Sequence, residues 1–235
     1  ATIHSGSMWW GRLITLPMSA KKRILKNGIA AAFQKGIKVA EQLLLIPFFI
    51  QYWGAAYYGE WLTLTIVPSM LALADLGFGS AAANTFLLKY AGGDKQEAAN
   101  VAKTGNIILT FLVVGAILLS GAILLGLDYS EMFDQLQIEN NQAILAVMLL
   151  LTARVINFYQ ALYEAHYRAA RKANISIHFQ SFIALTNIIV GLVVLLSGGH
   201  VVEYALAMLL VVLLLNPIYI YIARRVLGLY KTHTG

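Results

Sequence analysis

Long apolar runs alternate with short polar connections along nearly the whole chain, and the apolar runs have no period-two alternation of polar and apolar positions. The pattern predicts six helical spans at about 24–53, 60–89, 105–127, 142–166, 178–198 and 201–223. Each is of the order of the ~20 residues that a helix rising 1.5 Å per residue needs to cross ~30 Å of hydrocarbon. A membrane barrel would show alternating segments of about half that length, so helices are the expected spanning element. The expected fold is an all-α integral membrane protein, a six-helix bundle.

The connections fall into two sets of opposite charge. One set carries Lys21, Lys22, Arg23 and Lys26, then Lys89, Lys95 and Lys103, then Arg168, Arg171 and Lys172, and finally Arg224, Arg225 and Lys231. The alternate set carries only acids: Glu60, then Asp128, Glu131, Asp134 and Glu139, then Glu203. Because basic connections stay on the cytoplasmic side, both termini are expected to be cytoplasmic. A cluster of Tyr52, Trp53, Tyr57, Tyr58 and Trp61 around the first hairpin reads as an interfacial aromatic belt facing outward.

Composition agrees with this class. Of the 235 residues, 59% are hydrophobic and 12% charged, with a mean hydropathy of +0.71, far too apolar for a water-soluble domain of this size. The net charge of +6 sits beside the spans, where it sets topology and meets anionic headgroups of membrane lipids, which argues against nucleic acid as a partner. The chain has no Cys, which excludes a disulfide framework and thiolate chemistry, and its five His lack metal-ligand spacing. No Gly-rich phosphate loop or nucleophile motif is present, so an enzyme is not expected. Residues 1–17 do not begin with Met and read as a non-native or upstream leader, with Met18 before Ser-Ala-Lys-Lys-Arg as a natural start; residues 18–235 form the membrane unit.

Ionisable and amide groups inside a span are costly in hydrocarbon and therefore mark candidate sites. In the first span Gln34, Lys35, Lys38, Glu41 and Gln42 fall within an arc of roughly 120°, with Asn27 on the same face. This face suits a polar cavity open to the cytoplasm; the alternative is that both lysines snorkel to headgroups. In the fourth span Arg154 lies about 16 Å past Ala143, close to the midplane, with Asn157 one turn on. A guanidinium there can fork onto a phosphate or carboxylate, or pair with Asp75 of the second span. Asp75 in turn suits pairing with Arg154 or Lys38, or a proton or sodium site, and Asn84 follows it on the same span. His178, Gln180, Thr186, Asn187 and Asn216 are weaker candidates whose default role is helix-to-helix hydrogen bonding. Pro47, Pro68 and Pro217, with Gly77 and Gly79, mark kink positions within spans.

Three segments resemble a known family. Pro47, Gly54, Tyr58, Gly59 and Trp61 in LIPFFIQYWGAAYYGEW, then Asp75, Leu76, Gly77 and Gly79 in ADLGFGSAAAN, resemble the first hairpin of the polysaccharide (O-antigen) flippases. LYEAHYRAARKANISI resembles the family's cytoplasmic turn between spans four and five. These flippases belong to the multidrug/oligosaccharidyl-lipid/polysaccharide exporter superfamily. The resemblance implies a bacterial inner-membrane transporter of two six-helix lobes around a cationic cavity, which moves undecaprenyl-pyrophosphate-linked oligosaccharide for lipopolysaccharide or polysaccharide assembly. The chain would be the N-terminal lobe, which departs from the family's twelve to fourteen spans.

On that reading Lys35, Lys38 and Arg154 meet the diphosphate, while Gln34, Glu41, Gln42, Asp75, Asn84 and Asn157 line the polar cavity. No cofactor is implied beyond a coupling Na+ or H+, and glycan polymerase or ligase machinery is an implied partner. Two rivals stand beside it: a cation-coupled multidrug exporter of the same superfamily, and an inactive or scaffolding membrane fragment.

Overall fold

The computed structural model describes residues 18–73, 77–126 and 137–228, and within them it is entirely helical and loop, without strands. Eight helices follow in order: α1 (Met18–Trp53), α2 (Ala55–Leu73), α3 (Phe78–Ala91), α4 (Lys95–Gly126), α5 (Asn140–Ile156), α6 (Tyr159–Ala169), α7 (Ala173–Leu196) and α8 (Val201–Leu227). Among the described residues four segments are long and apolar enough to cross a membrane: Lys95–Ile123, Asn140–Ala169, Ala173–Leu196 and Val201–Leu227. The chain is therefore a membrane-embedded all-helical protein. The expected leader, residues 1–17, and the acids Asp128, Glu131 and Asp134 lie outside the described residues.

Two of the expected spans are divided. The second runs as α2 and α3, with Gly77 at φ 74° just before α3, a left-handed conformation that glycine adopts without Cβ strain. The fourth breaks at Asn157 and Phe158, whose backbone N–H groups bond back three residues to the Arg154 and Val155 carbonyls instead of four. Asn216 of α8 reaches across this break, its Nδ2 donating to the Ile156 carbonyl and to Asn157 Oδ1, both at 3.3 Å. Pro47, Pro68 and Pro217, by contrast, sit inside continuous helices.

Helix α1 packs along α7, α7 on α8, and α8 on both α5 and α6. The row continues with α2 on α5 and with α3 between α6 and α4. Without a hydrophobic driving force in lipid, such contacts rely on close packing and hydrogen bonds. Small residues supply the first: Ala83, Ala98, Ala102 and Ala165 are buried where α3, α4 and α6 meet. The exterior is the reverse of a soluble protein's, with Phe111 76%, Leu118 68% and Leu214 67% exposed, as lipid-facing positions require.

The two ends of the bundle differ. At one end, the aromatic end, Phe49, Trp53, Tyr57, Tyr58, Trp61 and Tyr204 interlock with ring centroids 4.8–5.8 Å apart. The Trp53 indole N–H donates to the Gly199 carbonyl at 2.8 Å, tying the α1–α2 hairpin to the α7–α8 hairpin. Both Glu60 carboxylate oxygens accept backbone N–H groups, from Gln137 at 2.7 Å and Ile138 at 2.9 Å, and Glu203 accepts the N–H of His200 to start α8. These acids satisfy backbone donors at helix starts and connections as well as balancing charge. At the other, basic end lie Lys89, Lys95, Arg168, Arg171, Lys172, Arg224 and Arg225.

The Trp53 bond is separable from the ring. Trp53→Phe keeps most of the aromatic packing and loses only the hydrogen bond, so unfolding in detergent should cost ~1 kcal/mol. Trp53→Ala removes both and should cost ~3–5 kcal/mol. Equal losses in thermal unfolding would show that the bond to Gly199 contributes nothing of its own.

Candidate functional site

Helix α5 presents a face toward the core that changes character along its length. Ala143, Ala146, Val147 and Leu151 are buried in the cluster at the aromatic end, shared with Leu45 and Phe49 of α1 and Tyr204 of α8. At 100° per residue Arg154 falls within the arc those four residues cover, yet its side chain is exposed. The face is packed against its neighbours for about two and a half turns, and the guanidinium that follows is exposed. Among the described residues no ion pair or hydrogen bond of that guanidinium is formed; the one described salt bridge is Arg168 Nη2 to Glu164 Oε1 at 2.6 Å.

Helix α1 repeats the change in the opposite chain direction. By register, positions 34, 38, 41 and 42 continue the stripe that Leu45 and Phe49 begin in the core cluster. Position 38 stands seven residues before Leu45, and Arg154 seven residues after Val147. Since α1 and α5 run antiparallel and Leu45 and Val147 belong to one cluster, both positions lie on the basic side of a cluster member, about 10 Å along their own helix. Lys35 is exposed one turn further along α1.

The other expected residues divide. Asn84 is exposed on α3. Asn157 is half-buried with its amide engaged, Nδ2 donating to the Ala153 carbonyl at 3.1 Å and Oδ1 accepting from Asn216. Asp75 lies outside the described residues, as do the side chains of Gln34, Lys38, Glu41 and Gln42. Of the weaker candidates, Asn216 and Gln180 bond between helices or within one, Thr186 bonds the Phe182 carbonyl of its own helix, and Asn187 Oδ1 is buried without a partner among the described residues.

Sequence reasoning did not single out the polar cluster toward the basic end. The Tyr163 hydroxyl donates to Asn106 Oδ1 at 2.8 Å and accepts from Arg224 Nη2 at 2.6 Å, joining α4, α6 and α8. His166 is fully buried, its ring stacked on Phe86 at 4.5 Å. Its Nδ1 lies 2.9 Å from the Leu162 carbonyl, which can only accept, so Nδ1 carries the proton and Nε2 is left without a partner among the described residues. Tyrosines and a lone histidine in an apolar helix look like core, and no periodic signal separates them from it. Among the described residues no group of His and acids is gathered as a metal site.

Compared with family models, with curated proteins and with solved structures, the chain matches none.

The absence of native cysteine makes the change of face measurable. A cysteine at position 154 should react with a water-borne maleimide, while cysteines at the buried position 147 and the lipid-facing position 118 should not. Protection at 154 equal to that at 118 would mean that the guanidinium faces lipid and not water.

Proposed function

We propose that this chain is a six-span, non-enzymatic lobe of a bacterial inner-membrane flippase, with both ends cytoplasmic, moving lipid-linked oligosaccharide by alternating access. The observation that carries the proposal is the exposed guanidinium of Arg154, which continues the otherwise buried stripe of α5. A cargo with a diphosphate between a glycan and a polyprenyl tail needs cations at depth, where water and lipid meet. Arg154 supplies a planar fork for phosphate oxygens, and Lys35 and Lys38 supply point charges. Gln34, Gln42 and Asn84 are the amides left for sugar hydroxyls, because that of Asn157 is already engaged.

The partition of charge between the ends supports the orientation. Basic residues gather at the end holding the α3–α4 and α6–α7 connections, and Glu60, Glu139 and Glu203 at the other, so the positive-inside rule places the open end of the Arg154 face toward the cytoplasm. A cargo loaded from the cytoplasmic leaflet would enter there. A second lobe, rocking against this one, would expose the same groups to the opposite side. Asp75 is the carboxylate available to a coupling proton or sodium ion.

Arg154→Ala and Lys38→Ala, expressed at wild-type level in a cell whose surface glycan depends on this chain, should abolish surface glycan. Lipid-linked precursor should accumulate on the cytoplasmic side. Arg154→Lys, which keeps the charge and loses the fork, should retain part of the export. Unchanged surface glycan in both alanine variants would sink transport by these cations and favour a scaffolding role.

A further inference from the structure

We infer that the groove between α3 and α4 is a binding site for one phospholipid acyl chain, with an amine-bearing headgroup such as phosphatidylethanolamine held at its mouth. The groove encloses about 330 Å³. Phe78, Ala81 and Thr85 of α3 form one wall and Thr104, Gly105 and Ile108 of α4 the other. The walls are shallow because Gly105 brings the helices together: a Cβ there would stand 3.0 Å from that of Ala82. Apart from the threonine hydroxyls the lining is apolar until Asn100 and Glu97, at the basic end. The Thr85 hydroxyl is itself turned back onto the Ala81 carbonyl at 2.9 Å.

Length separates a lipid from a helix as the occupant. From Glu97 to Ile108 the groove runs eleven residues along α4, about 16 Å, which is one leaflet of a ~30 Å hydrocarbon core. Its described lining reaches Phe78 of α3 and Leu109 of α4, and further along α4 Phe111, Val114 and Leu118 are exposed. A docked transmembrane helix would need a groove of the full thickness. A single acyl chain needs only one leaflet.

The mouth fits a zwitterion. In the antiparallel register set by Ala82 opposite Gly105, Lys89 stands beside the level of Glu97. Both are exposed, and among the described residues neither is in a salt bridge. A headgroup phosphate at Lys89 and its ammonium at the Glu97 carboxylate and Asn100 side-chain carbonyl would pair both of these charges. A headgroup without the amine leaves Glu97 beside the phosphate. This lipid site stands on the membrane class alone and is independent of the transport reading.

The test uses the whole chain in phosphatidylcholine vesicles doped with phosphatidylethanolamine or phosphatidylglycerol whose acyl chain carries a diazirine. Phosphatidylethanolamine should label Ala81, Thr85, Thr104 and Ile108 above the outward Phe111 and Leu118 stripe. Ala81→Trp, or Thr104→Trp should the first not fold, should abolish labelling of the groove and leave that of Phe111 unchanged. Glu97→Gln should lower the preference for phosphatidylethanolamine over phosphatidylglycerol about fivefold, the worth of one charge at a headgroup surface. Even labelling of groove and outward stripe, or equal labelling by both lipids in the wild-type chain, would overturn the site. So would disulfide capture of a second copy through Ala81→Cys, which would put a helix in the groove.

Discussion

A backbone amide or carbonyl left bare in hydrocarbon costs several kcal/mol, so each break in a membrane helix must be met from elsewhere in the protein. In this chain the groups that meet such breaks come from distant segments. Asn216 of α8 bonds the Ile156 carbonyl where α5 gives way to α6. Trp53 bonds the Gly199 carbonyl between α7 and α8, and Glu60 takes the amides of Gln137 and Ile138 before α5. Those bonds link segments from 60 to 146 residues apart, and they hold the hairpins of the aromatic end in one arrangement.

That arrangement sets what happens deeper in the bundle. α1, α2, α5 and α8 close around Leu45, Phe49, Trp61 and Val147 at the aromatic end, and α8 stays buried toward the basic end at Asn216, Tyr219 and Ala223. Arg154 is exposed there although its register is that of a core residue. A charge at such depth is tolerable where water or an anion reaches it, and costly where only lipid does.

Much of this was legible from residues. The all-helical membrane class followed from run length and hydropathy, and the partition of Lys and Arg from acids reappears at the two ends of the bundle. Ala82 approaches Gly105 closely, as small residues in lipid allow. The breaks were less legible. Gly77 was visible as an irregularity, but nothing in VINFYQ marks the division at Asn157 and Phe158, because the residue that stabilises it, Asn216, is 59 positions away. Likewise Asn157 read as a free polar group on a cavity face, while its amide is engaged by Ala153 and Asn216.

The sequence by itself determined the solvent of this protein and the character of its ends, because hydropathy and charge are local sums that need no partner. It also determined, by helical register, that Lys38 belongs to a polar stretch continuing the stripe of Leu45 and Phe49, and Arg154 to the stripe of Ala143, Val147 and Leu151. Only the tertiary structure decided that Leu45 and Val147 belong to one cluster, and that Arg154, beyond it on α5, is exposed. It alone decided that α3 and α4 meet at Ala82 and Gly105, with a groove between them. The physical reason is that packing and hydrogen bonding between helices join residues far apart in the chain, and in lipid those contacts, more than the hydrophobic effect, choose which faces close.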